Sequence, residues 1–521
     1  MMFSSAVFIF AYLPVVFLGY YALPKKFAPA FLFLMNLVFY GWGEPVYLLL
    51  MLFSIAFNYG AALLIPRFQR KKAVFAISVA VNVALIGYFK YSGFFVSTVS
   101  GALSSMASSS QTGLLTGGQT GLFSGFTPPS LPIGISFYTF QAISYLADIY
   151  RGVIQAERSL LKFGSYISLF PQLNAGPIVR YSSIAEQLGK RGATSGDIEI
   201  GLKKFVCGLS KKLLIANPVG HAWEAFASSA GQNGFAGAWI GMLAYAFHIY
   251  FDFSGYSDMA VGLGKMLGFS FPENFNYPYV SKSITEFWRR WHMTLSGWFR
   301  DYVYIPLGGS RRGAAGNLFN LAAVWFLTGL WHGASWNFVL WGVYFAVLLL
   351  AERAFIHKVF DKIKLPVFLR RLYAFGFVII GWGLFSLTDL SKSFAYLAEM
   401  FGATHIGDTI GNIADAGIMS SGADALAGGA VIISSGADSL AGGAGWFLFS
   451  PGALRYAVAY IPTLMICAVA ATPLPKRLWN TITADGRKFR ALEGAGTVIL
   501  LLLCIAAITA GGYNPFIYLR F

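Results

Sequence analysis

Apolar residues dominate twelve stretches of this chain: 3–23, 28–42, 45–65, 73–90, 131–149, 205–222, 236–258, 317–331, 335–352, 372–388, 452–472 and 494–512. A helix needs ~20 mostly apolar residues to cross the hydrocarbon of a bilayer. Several of these runs are shorter or broken, which predicts tilted, re-entrant or protein-buried helices beside full spans. The composition agrees. Charged residues are 12% of the chain, against about 25% in soluble domains. With 49 Phe, 27 Tyr and 13 Trp, too few solvating groups remain to cover a water-facing surface. An ordinary soluble enzyme, a disordered chain and a secreted disulfide scaffold are excluded. The even alternation of a membrane barrel is missing. The expected fold is an all-α polytopic membrane protein with about ten to twelve membrane helices in one domain, 1–521. The first run lacks a basic leader and a small-residue cleavage site, so it is expected to be a retained helix.

The net charge of +16 is unevenly placed. Lys and Arg gather at 25–26, 67–72, 203–212, 289–290, 300, 311–312, 358–371 and 476–490, and are missing from 91–130, 213–236 and 393–451. Cytoplasmic loops collect Lys and Arg. The clusters therefore face inward, the bare regions face outward, and the N-terminus lies outside. Topology accounts for the charge without nucleic acid, since no basic stretch is interleaved with aromatics as a binding surface would be. The bare regions include two low-complexity segments, 101–125 and 403–450, both assigned as extracytoplasmic loops. Within the second, residues 420–430 recur at 434–444 with one substitution. Cys207, Cys467 and Cys504 are far apart, with no C-x-x-C pair, so neither a zinc site nor a disulfide framework is indicated.

Ionisable groups in membrane segments are costly and mark function by default. His332 stands between the runs 317–331 and 335–352, and His292 lies 40 residues earlier. Each follows a Trp. A neutral imidazole can take a proton from a hydroxyl near neutral pH; the alternative for each is a structural hydrogen bond. His248 is spaced to meet Asp252 on one helix face. Gln141, Ser144, Tyr145 and Asp148 follow i, i+3, i+4, i+7, one polar stripe. It fits a water-lined path or, more simply, hydrogen bonds between helices. Pro171, Gly176 and Pro177 break the short apolar segment that holds Asn174, and a broken segment at membrane depth often lines a cavity. Stretch 282–312 alternates Trp and Tyr with Arg289, Arg290, Arg300, Arg311 and Arg312. It suits the membrane–water interface, in contact with lipid, or a clamp on an anionic donor such as a nucleotide-bearing thioester.

Five blocks carry a family resemblance: LPIGISFYTFQAISYLADIYR at 131–151, FPQLNAGPIVRY at 170–181, FWRRWHMTLSGWFRDYVYIPLGGSR at 287–311, LTGLWHGASWNFVLWG at 327–342 and YNPFIY at 513–518. Together, in order, they resemble the membrane-bound O-acyltransferase (MBOAT) family, and within it the bacterial alginate O-acetyltransferase-like branch. The resemblance implies a helical bundle with a central funnel, and His332 and His292 as the catalytic pair. It implies acetyl-CoA as acyl donor, with no bound cofactor and no metal. The acetyl group would cross the bacterial inner membrane to an extracytoplasmic polysaccharide such as alginate, directly or through an SGNH-type acetyltransferase. Asn174 departs from the block, which more usually holds an apolar residue there. Tyr138, Gln141 and Asn337 are candidate donors to a developing oxyanion, and Asn174 a candidate tunnel residue. D-alanyl transfer to teichoic acid is the alternative on the same fold. A transporter without chemistry would be expected to show inverted repeats, and none is evident.

Overall fold

The computed structural model describes residues 1–109, 126–189, 192–230, 232–403, 448–482, 487–511 and Phe516. Both halves of the 420–444 repeat, most of the two low-complexity loops and nearly all of the 513–518 block lie outside them. The described chain is helical, with no strand among those residues. The helices are α1 Leu13–Ala22, α2 Ala28–Gly43, α3 Leu48–Leu64, α4 Lys71–Ile86, α5 Ser92–Ser109, α6 Ile135–Tyr150, α7 Leu160–Ser168, α8 Phe170–Leu173, α9 Tyr181–Ile184, α10 Ser195–Ser210, α11 Asn217–Ser228 and α12 Phe235–Met266. They continue as α13 Ile284–Arg290, α14 Met293–Phe299, α15 Gly313–His332, α16 Trp336–Ala351, α17 His357–Lys362, α18 Val367–Ser386, α19 Leu390–Met400, α20 Pro451–Ala470, α21 Leu474–Ile482 and α22 Arg487–Ala510. Wider π turns at Gly87–Tyr91, Lys211–Ala216 and Glu352–Ile356 join neighbouring helices without a break, and one at Arg300–Tyr304 extends α14.

Each of the twelve apolar runs falls in a helix. Among the described residues, five helical stretches are long and apolar enough to cross a membrane: Lys71–Ser100, Trp336–Lys362, Val367–Ser386, Gly452–Ala470 and Ala491–Ala510. Three shorter apolar helices, Phe8–Ala22, Ala28–Gly43 and Leu48–Leu64, stand beside them. Of the remaining runs, 131–149, 205–222 and 236–258 are mostly covered by protein, whereas 317–331 leaves Leu318, Phe319, Phe326 and Leu327 exposed. Helix α6 is the clearest: Ile135 to Ile149 are all buried. Of its polar stripe, Ser144, Tyr145 and Asp148 are met by hydrogen bonds, and the buried Gln141 side-chain amide is not. The Tyr302 hydroxyl donates to Asp148 at 3.0 Å, and the Tyr145 hydroxyl accepts from the Glu157 amide at 2.8 Å.

The longest helix, α12, packs against α10 through glycines. A Cβ on Gly208 would lie 2.5 Å from the Gly255 carbonyl oxygen, so the two backbones touch. Lysines of the same seam meet carboxylates of α12: Lys211 to Asp258 and Lys212 to Asp252, each at 2.6 Å. Both members of the second pair have fully buried side chains. The Asp252 carboxylate, on the face of α12 that His248 shares, takes the Lys212 ammonium. Charge at 204–212 therefore has a packing role that loop topology alone does not convey. Glu399 of α19 accepts from the amides of Asn233 and Gly234 and so holds the start of α12.

Candidate active site

The α15–α16 hairpin carries His332. The two helices approach at glycines: a Cβ on Gly342 would lie 2.5 Å from the Trp325 carbonyl oxygen, and one on Gly329 2.4 Å from that of Phe338. The helix ends at His332 because Gly333 turns extended, and the Ser335 hydroxyl then caps α16 by accepting from the Asn337 amide at 3.3 Å. Aromatic rings wall the His332 imidazole: Trp341 at 4.9 Å, Phe385 at 5.1 Å and Trp331 at 4.9 Å between centroids. It is 5% exposed.

His292 stands at the junction of α13 and α14 with φ 43° and ψ 52°. A non-glycine residue at positive φ is uncommon and is held there by its surroundings. Asn274 does the holding. Its Oδ1 lies 3.1 Å from His292 Nδ1 and accepts from the Thr294 hydroxyl at 2.9 Å. Its carbonyl accepts from the Met293 amide at 3.0 Å. An oxygen facing Nδ1 makes that nitrogen the N–H donor and leaves Nε2 as the basic one. The Trp331 ring stands near both imidazoles, with centroids 5.9 Å from His292 and 4.9 Å from His332.

Two cavities border His332. The larger, about 640 Å³, is lined by Arg289, His292, Arg300, Tyr304, Trp325 and His332, among others. It reaches the basic stretch assigned to the inner face. The smaller, about 50 Å³, is lined by Lys90, Gly134, Ser136, Asn174, Trp331 and His332, with Leu131 at its edge. Leu131 of its lining is 38% exposed and lies six residues after segment 101–125, which the charge pattern assigns to the outside. Among the described residues, His332 alone lines both.

The floor of the large cavity is anchored from below. Glu352, fully buried, accepts from the Ile284 amide at 2.6 Å and from the Thr285 amide and hydroxyl at 2.8 and 2.7 Å. A carboxylate on the first amides of α13 satisfies donors that the helix itself cannot. At the other end of this segment, Asp301 pairs with Arg180 and Arg300. Burial pushes its carboxyl up, but the two guanidiniums outweigh that and hold it below its ordinary value.

The sequence-derived candidates divide. Arg289 and Arg300 line the large cavity, and Asn174 lines the recess. Arg290 pairs with Glu286 at 2.8 Å, and Arg311 and Arg312 sit on the turn Gly309–Arg312 away from both cavities. Tyr138 and Gln141 are buried on α6 without lining either cavity. Asn337 donates to the Leu387 carbonyl at 2.8 Å and to the Ser393 hydroxyl at 2.9 Å, which ties α16 to the start of α19. Lys90, Asn274 and Glu352 were not singled out from sequence. Lys90 had a signal, a lone basic residue ending an apolar run; Asn274, 18 residues from His292, had none.

The model of the membrane-bound O-acyltransferase family matches residues 151–394, a range that contains both histidines. A protein of Azotobacter vinelandii named "probable alginate O-acetylase" is 41% identical over 407 residues, covering 77% of this chain and 78% of its own. One of the same name from Pseudomonas putida is 34% identical over an alignment covering all of both chains. A peptidoglycan O-acetyltransferase of Helicobacter pylori is 34% identical, covering 77% of this chain and 80% of its own.

Proposed function

Because the chain belongs to the membrane-bound O-acyltransferase family and is a multi-pass membrane O-acyltransferase, we propose that it passes acetyl groups from cytoplasmic acetyl-CoA across the bacterial inner membrane for O-acetylation of an extracytoplasmic polysaccharide such as alginate. One observation supports the reading: His332 is common to a cavity lined by Arg289 and Arg300 and a separate recess lined by Lys90 and Asn174. A carrier of substrate needs one continuous path; an acyl transferase working across a membrane needs two approaches that meet at a reacting group.

In this reading the thioester enters the 640 Å³ cavity with its anionic part against Arg289 and Arg300. The aromatic walls exclude water that would hydrolyse it. The acceptor hydroxyl comes from the recess. As its oxygen bonds to the thioester carbon, its proton passes to the His332 imidazole. The carbon–sulfur bond breaks, and the thiolate leaves and takes that proton. His292, with Nε2 as its basic nitrogen, orients or relays. The acceptor is the polymer or an SGNH-type acetyltransferase that carries the group onward.

Purified protein in nanodiscs, supplied with labelled acetyl-CoA, should cleave the thioester. His332→Ala should lower turnover by about 10²–10⁴-fold, the usual share of general-base catalysis, while remaining folded and monodisperse. Turnover of the variant at the parent rate overturns the role of His332. Release of label only from a D-alanyl carrier protein moves the assignment to D-alanyl transfer.

A further inference from the structure

Lys90 lies in the π turn Gly87–Tyr91, inside the membrane-crossing stretch Lys71–Ser100. From Lys71 it is 19 residues along the helix, roughly 28 Å from the basic end. Its ammonium donates to the Trp331 carbonyl and stands 5.9 Å from the centroid of the Trp331 ring. The next residue, Tyr91, donates to the Leu330 carbonyl at 2.5 Å. The two side chains thus take the last carbonyls before His332, at the negative end of the α15 dipole.

A carbonyl and a ring face do not neutralise a full charge. No carboxylate oxygen among the described residues lies within 4.0 Å of Lys90. The other deeply placed lysines differ: Lys211 and Lys212 each have an aspartate at 2.6 Å. A cation in a low-dielectric span is costly unless something negative meets it. Lys90 shares the 50 Å³ recess with His332. That space has room for only a few atoms.

We propose that Lys90 is a catalytic residue whose ammonium, held by the Trp331 carbonyl and facing the recess it shares with His332, stabilises the oxyanion formed when the acceptor oxygen attacks the thioester. As that bond forms, the carbonyl π pair moves onto oxygen and produces the negative charge the ammonium faces. Collapse returns the pair, expels the thiolate and leaves the protonated His332 to supply its proton. The charge is complete only in the transition state and intermediate, so the attraction acts on turnover rather than on donor binding.

This rests on His332 being the acyl-transfer centre, and the two can fail separately. In nanodiscs with labelled acetyl-CoA, His332→Ala tests the centre; Lys90→Met, Lys90→Arg and Tyr91→Phe test the ammonium. Lys90→Met should lower kcat by about 10²–10³-fold, the loss seen when one oxyanion donor is removed, with KM within about twofold. Lys90→Arg should recover at least tenfold over Lys90→Met. Tyr91→Phe, which removes the neighbouring clamp and no charge, should stay within about threefold of the parent. The proposal is overturned if Lys90→Met turns over within threefold of the parent. It is also overturned if Lys90→Arg is as slow as Lys90→Met, or if Tyr91→Phe loses as much as Lys90→Met, since the role would then be to hold the helix end. Thermal melting of each variant in the same nanodiscs separates slow enzyme from unfolded protein.

Discussion

At the scale of single residues, the site depends on side chains that never line its cavities. Asn274 is one. Its amide oxygen meets the His292 ring, the Thr294 hydroxyl and the Thr294 amide, the last at 3.3 Å. Asn274→Leu removes all three and frees an imidazole held at positive φ. A misplacement of about 1 Å can cost 10²-fold in rate. Acyl transfer by Asn274→Leu should therefore fall by about that factor. His292→Ala added to it should cost little further, because the two act as one unit. Full additivity of the two losses would show that Asn274 acts elsewhere. Residue identity was the most legible layer of the sequence where the group was rare for its setting: a Trp-His pair between two apolar runs. It was least legible where the group was ordinary. An Asn in a loop, or a Glu after a long apolar helix, has no pattern that names its distant partner.

Helices were legible because hydrophobic length is a local property, and each predicted run is helical. What joins or extends them was not. The π turns at 87–91, 211–216, 300–304 and 352–356 leave no apolar signature, yet two of them carry Lys90 and Glu352. Nor does hydropathy separate a span from a protein-covered helix, since α6 is as apolar as many spans and is buried along fifteen residues. Helix contacts follow instead from small residues. Gly342→Leu would drive side-chain atoms into the Trp325 backbone of α15 and should lower hairpin stability by about 1–3 kcal/mol or more. A lowered melting temperature in detergent checks this. Gly376→Leu on α18, where a Cβ meets nothing within 4 Å, serves as the control and should melt like the parent. Equal melting of both variants would contradict the close approach at Gly329 and Gly342.

For the molecule as a whole, the two cavities gain meaning only if they open to opposite compartments. The charge pattern assigns the Arg311 turn to the inside and residues 126–128 to the outside, and both positions are exposed. In a Cys207→Ser background, Thr127→Cys should react with an impermeant thiol reagent on intact cells. Arg311→Cys should react only after the cells are opened. Both labelled from one side would leave a bundle with two mouths on the same face, unable to hand a group across.

The grip of Glu352 on α13 has a mechanical consequence. Helix α16 starts four residues after His332 and leads directly to that carboxylate, sixteen residues from Trp336, or about 24 Å along a helical axis. It works as a strut of fixed length between the imidazole and the arginine-bearing floor. A thioester whose flexible arm is shorter than that gauge could dock its anionic head and still leave its acyl carbon short of the imidazole. Arm length, as much as head-group chemistry, would then sort usable donors from mere ligands.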